Sequence, residues 1–335
     1  MNLKKALTAV FSTAMVLSMA TAMSPARAYE GTYGDFKIND YTDYEGYKIS
    51  DYENKEMRNV TIPSYINAKA VSEIDYGAFS SKKSLETINI PETVQRIDYY
   101  AFKDCVNLKN VNFTGASKLK EISYDAFRGC DALANRWIKV NNTYLHVKGD
   151  TDLDEDGLKT IDGKSYYFKN CFMQKGWHDF GYGYSWSEKE WHYFGQDGAG
   201  KTKWAKIGNQ WYWFGDDGLM QTGWIYTGGR WYYLKSSGAM ATGWANDGKN
   251  WYYFDSNGVM ETGWIKVGGS WYYLNGSGAM QSNRWIGNYY VTGSGAMATN
   301  RWIGNYYVGN DGAYVKDRWI GRYHVNGSGV WDRTR

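Results

Sequence analysis

The sequence predicts a mainly β protein in which a short solenoid of leucine- and isoleucine-rich coils is followed by a solenoid of β-hairpins. Between residues 60 and 133, apolar residues recur every 23 to 25 positions. From residue 204 onward, tryptophan recurs every 20 positions, and all 17 tryptophans of the 335-residue chain lie at or after residue 137. Fixed periods of this length are typical of stacked supersecondary units, none of which buries its apolar face alone. Two repeat architectures are therefore joined in one chain.

Residues 1–28 have the features of a secretory signal peptide. Lys4 and Lys5 form a charged start, the apolar stretch 6–23 follows, and small residues at 26–28 form an A-x-A cleavage site. A membrane anchor is disfavoured because the apolar stretch is shorter than the roughly 20 residues that span a bilayer. We therefore expect an exported protein that is cleaved after residue 28.

The composition argues against two classes of protein. The formal net charge is +3, and the stretch 1–28 holds three basic and no acidic residues, so the remainder is formally neutral. A neutral chain is a poor candidate for binding nucleic acid, which requires clustered Lys and Arg. Three cysteines are too few for a scaffold held by disulfides. Stability must therefore come from packing, and nothing in the composition indicates a cofactor.

The first repeat array occupies residues 60–135. The dipeptide Ala-Phe recurs once per coil, at 78–79, 101–102 and 126–127. Short alternating segments such as Ile88-x-Ile90 lie between these dipeptides and end at proline, a pattern that predicts one short strand per coil. The acidic, tyrosine-rich stretch 29–59 would be the N-terminal cap that such an array requires.

These coils resemble the leucine-rich repeats of the BspA-like bacterial surface antigens. The residues that carry the resemblance are Leu85, Ile88, Ile90, Pro91, Val94, Ile97, Ala101, Phe102, Cys105 and Leu108, and the next coil repeats them less cleanly up to Leu133. The resemblance implies a role in adhesion or protein binding, but it assigns no ligand contact. Cys105 and Cys130 hold the same position in adjacent coils, where we favour two buried unpaired thiols over a disulfide or a reactive pair.

Residues 136–163 are predicted to be a linker between the two arrays. Asp152, Asp154 and Asp156 alternate as in the first half of a calcium-binding loop. The twelfth position of such a loop should be a bidentate Glu, and here it is Gly163. A solvent-exposed turn is therefore favoured over a calcium site.

The second array, residues 164–335, is predicted to consist of β-hairpins that are each followed by a glycine-rich loop. Its 20-residue units extend over about 204–284. A two-residue turn at 267–268 would put Trp264 directly opposite Trp271 on one face of its hairpin. Strand alternation puts Tyr273 on the same face, which would form an aromatic groove. The opposite face, expected to be a packed spine, carries Ile265, Tyr272 and Leu274.

The pattern G-W-x₆-W-Y-Y-F/L resembles the choline-binding repeats of Gram-positive cell-wall proteins. The resemblance implies a left-handed β-solenoid in which choline is enclosed by two Trp of one hairpin, an aromatic residue of the next and often a Met. Ring faces recognise a quaternary ammonium at about 0.5–2 kcal/mol each, and no hydrogen bond is needed. Carried over to this sequence, the four expected sites are Trp204, Trp211, Tyr233 and Met220; Trp224, Trp231, Tyr253 and Met240; Trp244, Trp251, Tyr273 and Met260; and Trp264, Trp271, Tyr290 and Met280. Alternatively, these rings are only solenoid core.

The units at both ends of this array depart from the pattern. Over residues 285–335 the period falls to 17, with tryptophans at 285, 302 and 319. Asn288 and Asn305 replace the second tryptophan, and a cage that lacks one wall should hold choline poorly. These units are expected to cap the solenoid, to mediate self-association or to bind something else. Upstream, residues 166–177 form a degenerate unit, and 191–194 belong to a unit with an insertion.

Three classes of function are consistent with this organisation. The favoured one is a non-catalytic secreted protein on the surface of a Gram-positive bacterium. It would bind choline of teichoic or lipoteichoic acid in the cell wall and present the first array to a host or bacterial protein. The second is a protein that binds a cell-wall or host glycan, as related glucan-binding repeats do. A regular Trp pair with a Met favours choline, because a cation needs an enclosing box and a sugar needs an open platform. An enzyme is disfavoured, since the sequence offers no nucleophile–base or paired-carboxylate constellation.

Overall fold

The structure, a computed structural model, describes residues 30–40, 43–181 and 189–335. The predicted signal peptide lies outside these residues. The chain divides into two compact units, Met1–Asp156 with Lys169–Phe172, and Gly157–Phe168 with Met173–Arg335. Besides one 3-10 turn at Asp131–Leu133, the regular elements of the described residues are β-strands, which confirms the predicted fold class. No helix in this described part is long and apolar enough to cross a membrane.

The first unit is built mainly from parallel strands. Its strands are β1 (Glu30–Tyr33), β2 (Phe36–Asn39), β3 (Tyr47–Tyr52), β4 (Asn59–Thr61), β5 (Tyr65–Ile66), β6 (Lys69–Ile74), β7 (Thr87–Ile90), β8 (Arg96–Ile97), β9 (Asn110–Phe113), β10 (Glu121–Ile122), β11 (Arg136–Val140) and β12 (Thr143–Val147). One sheet has the parallel order β4-β7-β9, and in the other β3, β6, β8 and β10 are parallel, with β1 and β2 antiparallel at the edge. The predicted solenoid is therefore confirmed, with one coil adding one strand to each sheet.

The Ala-Phe dipeptides form the centre of the first core. The rings of Phe79, Phe102 and Phe127 are fully buried and stack with centroid separations of 5.2 and 5.4 Å. The Sγ atoms of Cys105 and Cys130 each donate to a phenylalanine carbonyl oxygen of the preceding coil, at 3.0 Å. Both cysteines are buried and free. The interpretation of these cysteines as buried unpaired thiols is confirmed.

The first half of the expected linker 136–163 is ordered structure. Strands β11 and β12 form an antiparallel hairpin, and its buried residues Ile138, Val140, Leu145 and Val147 belong to the first core. This hairpin has its own alternation and does not continue the 23- to 25-residue period. The period therefore gave no indication of it.

The second unit is a series of antiparallel hairpins. Its strands are β13 (Gly157–Ile161), β14 (Lys164–Lys169), β15 (Phe172–Met173), β16 (Gly176–Asp179), β17 (Trp191–Phe194), β18 (Lys203–Ile207), β19 (Gln210–Phe214), β20 (Gly223–Thr227), β21 (Arg230–Leu234), β22 (Gly243–Asn246), β23 (Trp251–Phe254), β24 (Gly263–Val267), β25 (Ser270–Leu274), β26 (Arg284–Ile286), β27 (Tyr289–Val291), β28 (Arg301–Ile303), β29 (Tyr306–Val308), β30 (Arg318–Ile320), β31 (Tyr323–Val325) and β32 (Trp331–Thr334). Each even-numbered strand from β16 to β30 pairs with the next strand, β15 pairs with β14, and β32 pairs with β31.

The repeated methionines and glycines connect successive hairpins. The backbone N–H of Met240 donates to the carbonyl oxygen of Trp211 in an earlier hairpin, at 2.8 Å. Gly258 in the next loop has a φ of +79°, and a Cβ on it would overlap the Met240 side chain. The glycine is therefore required both for its backbone conformation and for the space that the methionine fills. This shared contact explains why Met and Gly recur with the same 20-residue period.

Candidate ligand-binding sites

The turn of hairpin β24–β25 lies one residue later than expected. Gly268 and Gly269 form this turn, and both have positive φ. A two-residue hairpin turn requires positive φ if it is to match the twist of its strands. Trp264 consequently lies opposite Tyr273. The expected direct pairing of Trp264 with Trp271 is wrong, but strand alternation still keeps both tryptophans on one face.

In two of the regular hairpins the paired tryptophans form a corner. The ring centroids of Trp204 and Trp211 are 6.4 Å apart at 90°, and those of Trp224 and Trp231 are 6.1 Å apart at 85°. Perpendicular rings present one face and one edge to the same space. Each of these two pairs can therefore provide two adjacent walls of an aromatic cage.

The third ring comes from a different tyrosine than expected. Tyr233, Tyr253, Tyr273 and Tyr290 lie opposite the first tryptophan of their own hairpins. The rings that approach from the next hairpin are Tyr232, Tyr252, Tyr272 and Tyr289, at 4.9, 4.6, 4.9 and 5.4 Å from Trp204, Trp224, Trp244 and Trp264. The back of each hairpin packs on the aromatic face of the one before it, so the alternate strand position supplies the wall. Tyr272 therefore contacts a candidate site and is not part of a separate spine.

The methionines are displaced by one unit from their expected places. Met260 and Trp224 both pack against the apolar cluster that contains Tyr252, and the N–H of Met260 donates to the carbonyl oxygen of Trp231 at 2.9 Å. The same backbone contact ties Met240 to Trp211, Met280 to Trp251 and Met297 to Trp271. The four sites, named here by their first tryptophan, are therefore Trp204, Trp211, Tyr232 and Met240; Trp224, Trp231, Tyr252 and Met260; Trp244, Trp251, Tyr272 and Met280; and Trp264, Trp271, Tyr289 and Met297.

The second tryptophan of each pair is open to solvent. The exposed fractions of Trp211, Trp231, Trp251 and Trp271 are 41%, 45%, 48% and 40%, whereas Phe254 on the back of its hairpin is 1% exposed. The alternative that all these rings are solenoid core is therefore wrong for the second tryptophans. Large exposed aromatic surfaces in a regular series are typical of binding surfaces.

The Trp264 site opens into a cavity of about 350 Å³. Its lining is Trp264, Trp271, Tyr289, Met297 and Asp311. The aromatic and thioether groups can enclose a cation without hydrogen bonds, and the carboxylate of Asp311 adds a negative charge from a later loop. The chemistry of this cavity suits a small organic cation.

A carboxylate also adjoins the Trp224 site. The indole N–H of Trp224 donates to Asp247, with 3.4 Å between nitrogen and oxygen. Hydrogen bonds from the backbone N–H groups of Asn250 and Lys249 hold the pKa of Asp247 below its usual range. An ionised group therefore fixes the Trp224 ring and makes its surroundings more negative.

One more set of rings, outside the four expected sites, has the same arrangement. Trp177 lies 6.2 Å from Trp191 at 84° and 5.0 Å from Tyr212 of the next hairpin. The N–H of Met220 donates to the carbonyl oxygen of Trp191 at 2.8 Å. An insertion separates these two tryptophans by 14 residues, which hid the pair. The position of Met220 on the 20-residue period was the available signal.

The calcium candidate is disfavoured by the partners of its carboxylates. Asp152 accepts hydrogen bonds from the Arg128 guanidinium at 3.2 and 2.9 Å. Asp154 lies 2.6 Å from the imidazole Nδ1 of His146, and Asp156 accepts a backbone N–H. The three side chains therefore engage three different groups and do not converge on one point, as a calcium loop requires.

Another group of acidic residues in the first unit is paired with basic side chains. Carboxylate oxygens of Glu73, Asp75 and Asp98 lie within 4.8 Å of one another. Lys48 is 2.9 Å from Asp75, and Arg96 is 3.4 Å from Asp98 and 3.5 Å from Glu73. Each of the three carboxylates therefore has a basic partner within the first unit.

Comparisons with known families agree with both arrays. The BspA type leucine rich repeat region matches residues 48–149 in six copies. Models of the choline-binding repeat match 201–243 and 241–285, and, for a second version of the repeat, 279–314 and 296–331. A comparison with curated proteins finds no match.

Several solved structures from Streptococcus pneumoniae are similar to this chain. Choline binding protein F, solved with a tetrasaccharide-pentapeptide peptidoglycan analogue, is 28% identical over 58% of this chain and 77% of its own, with a TM-score of 0.48. The choline-binding domain of CbpL is 30% identical over 60% of this chain and 98% of its own, with a TM-score of 0.38. The modular autolysin LytC is 31% identical over 60% of this chain and 49% of its own, with a TM-score of 0.42. By these family matches the chain joins a BspA-type leucine-rich repeat region to a series of choline-binding repeats.

Proposed function

We propose that this protein is a non-catalytic, secreted surface protein that attaches to the cell wall of a Gram-positive bacterium. Its hairpin series would bind the choline of teichoic and lipoteichoic acids, and its leucine-rich repeats would be presented for adhesion or protein binding. The observation that carries the proposal is the repeated corner of two perpendicular tryptophans, closed by a tyrosine of the next hairpin and a methionine.

The composition of these sites supports a quaternary ammonium ligand. Such a group has no N–H to donate, so it gains no binding energy from hydrogen-bond acceptors. Ring faces and methionine sulfur can bind it without hydrogen bonds. The Trp264 cavity has three aromatic rings around it and one carboxylate, Asp311. A single cage contributes modest affinity, but several cages along one polymer act together through avidity.

The surroundings of two histidines support a non-catalytic role. The imidazole of His146 is buried with Asp154 and lies 4.6 Å from the ring of Trp137. The imidazole of His324 bonds Asp332 at 2.7 Å and lies 5.0 Å from the ring of Trp319. Each His–Asp pair is thus held against a tryptophan ring, an arrangement that suits a structural role.

The test is retention of the full-length mature protein on a tertiary-amine resin that resembles choline. Choline chloride should elute the protein at a concentration at which sodium chloride does not. Elution by both salts at equal ionic strength would indicate ion exchange only. A protein that ignores the resin and is retained on insoluble glucan would support the carbohydrate alternative.

A matched pair of variants locates the activity. Alanine at Trp211, Trp231, Trp251 and Trp271 should weaken retention strongly, since it removes one exposed wall from each of four cages and with them most of the avidity. Alanine at Tyr76, Tyr99 and Tyr124, which are exposed in the first unit, should leave retention unchanged. If the tyrosine variant loses retention and the tryptophan variant keeps it, the attachment function belongs to the leucine-rich repeats and the proposal is wrong.

A further inference from the structure

The 17-residue unit that contains Trp302 regains an aromatic wall from strand β32. The position of the second tryptophan is Asn305, and its carbonyl oxygen accepts the backbone N–H of Trp331 at 2.7 Å. In the Trp264 site the same backbone contact, at 2.8 Å, joins the second tryptophan, Trp271, to Met297. Trp331 therefore stands where the regular sites have methionine, and it brings an indole ring to a hairpin that has lost one.

This arrangement leaves an open space of suitable size. A cavity of about 290 Å³ is lined by Trp302, Gly304, Asn305, Tyr323 and Trp331. The Tyr323 ring of the next hairpin lies 5.7 Å from Trp302 at 81°, close to the geometry of the third wall in the regular sites. Trp331 is 44% exposed, similar to the second tryptophans. The residues that line this cavity include three aromatic rings and no charged side chain.

The neighbouring 17-residue hairpin does not offer the same space. There the place of the methionine belongs to Tyr314, whose N–H donates to the carbonyl oxygen of Asn288 at 3.0 Å. The Tyr314 ring packs 5.8 Å from Trp285 and 5.6 Å from Tyr306, so the three rings contact one another. Tyrosine at this position therefore packs against the rings that would otherwise face a ligand.

The following hairpin already has a cation of the chain on its tryptophan. The guanidinium carbon of Arg335 lies 4.6 Å from the Trp319 ring centroid, and that of Arg333 lies 5.9 Å from it. Cations within about 6 Å of an indole face interact favourably with it. Two such groups share the Trp319 ring, whereas Trp271 and Trp191 each have one lysine Nζ, at 5.9 and 5.6 Å. Of these three units, the one with Trp302 thus combines an open cavity with uncharged aromatic walls.

We propose that Trp302, Tyr323 and Trp331 form an additional binding site for a quaternary ammonium group. The proposal rests on the proposed function, because the ligand is the choline headgroup that the regular sites bind. It revises the expectation that a unit with asparagine in place of the second tryptophan lacks a working cage. In this site the second indole is that of Trp331, which occupies the position that methionine has in the regular sites.

The experiment counts choline sites in the full chain by isothermal titration calorimetry. Trp331→Ala should reduce the number of choline molecules bound by one, and Trp331→Met should do the same, because methionine restores the regular residue without a ring. Trp331→Phe should keep the number unchanged. Tyr76→Ala, which removes an exposed aromatic ring from the first unit, is the matched control and should also leave it unchanged.

A second measurement isolates the new site. In the variant with alanine at Trp211, Trp231, Trp251 and Trp271, weak choline binding should remain, and adding Trp331→Ala should lower it further. If the wild type binds choline and both Trp331→Ala and Trp331→Met bind the same number of choline molecules as the wild type, the Trp302 site is overturned. The proposed function would then remain intact. Failure of the wild type to bind choline at all would instead overturn the proposed function. The melting temperature of each variant without choline verifies that the fold persists.

Discussion

The backbone N–H of Met280 donates a 2.8 Å hydrogen bond to the carbonyl oxygen of Trp251, although the two residues lie 29 positions apart in different repeats. The bond places a methionine beside a tryptophan that is 48% exposed. One contact thus holds successive hairpins together and completes a candidate site. A choline molecule bound at this site is therefore expected to stabilise the packing of the two hairpins.

Binding and folding should separate at Trp251 and Phe254, two aromatic residues of the same strand. Trp251→Ala should weaken choline binding and change the melting temperature little without ligand, because the ring is half exposed. Phe254→Ala should destabilise by about 3–5 kcal/mol, as is typical for truncating a buried phenylalanine. Choline titration and thermal melting of both variants provide the comparison. Equal loss of stability in the two would contradict the division between exposed wall and buried core.

Trp191 should be part of a working site despite the irregular spacing around it. Its partners Trp177, Tyr212 and Met220 have the same arrangement as those of the regular sites. Trp191→Ala should therefore lower the number of bound choline molecules by one in calorimetry. Trp191→Phe is the control and should retain most of the binding. An unchanged stoichiometry in the alanine variant would show that this ring cluster is structural.

Asp311 should strengthen cation binding in the Trp264 site through its negative charge. Asp311→Asn should lower choline affinity there by roughly two- to fivefold at low salt, the size expected for one partly solvated charge near a cation. The difference between wild type and variant should shrink as salt is raised. The indole N–H signal of Trp271 in ¹⁵N-labelled protein reports this site. Glu56→Gln, which removes a charge from the first unit, should leave the titration unchanged; an equal effect would indicate a property of overall charge.

Mild acid should destabilise the second unit through His192. Burial lowers the pKa of this imidazole below its ordinary value of 6.5, an effect that Asp217 and Glu190 partly oppose. Because the folded state favours the neutral form, the stabilisation is complete above pH 6.5 and is lost as the pH falls through the lowered pKa. Denaturant unfolding between pH 7.5 and 5 should therefore show a steeper loss of stability in the wild type than in His192→Gln. Parallel pH profiles would contradict this role of His192.

Much of the organisation follows from the sequence alone. The two periods predict both arrays, because a repeated apolar position can be buried only if the units stack. The Ala-Phe dipeptides predict the ladder of Phe79, Phe102 and Phe127 for the same reason. Alternation also predicts that Trp264 and Trp271 share a face. This prediction holds although the turn was expected one residue too early. Moving a two-residue turn by one position shifts each pairing partner by two residues, and residues two apart in a strand lie on the same face.

The sequence alone determined the repeat period, the strand faces and the presence of paired tryptophans, since these depend on local alternation and spacing. Only the tertiary structure decided which side chains meet across repeats. Because the back of one hairpin packs on the front of another, Tyr232 and not Tyr233 lies beside Trp204. Because of the backbone hydrogen bond to Trp211, Met240 and not Met220 belongs to this site. The same packing brings Trp331 to Trp302, a relationship that no period predicts. Contacts between stacked units depend on the rotation and rise from one unit to the next. The spacing of residues along the chain does not determine these geometric quantities.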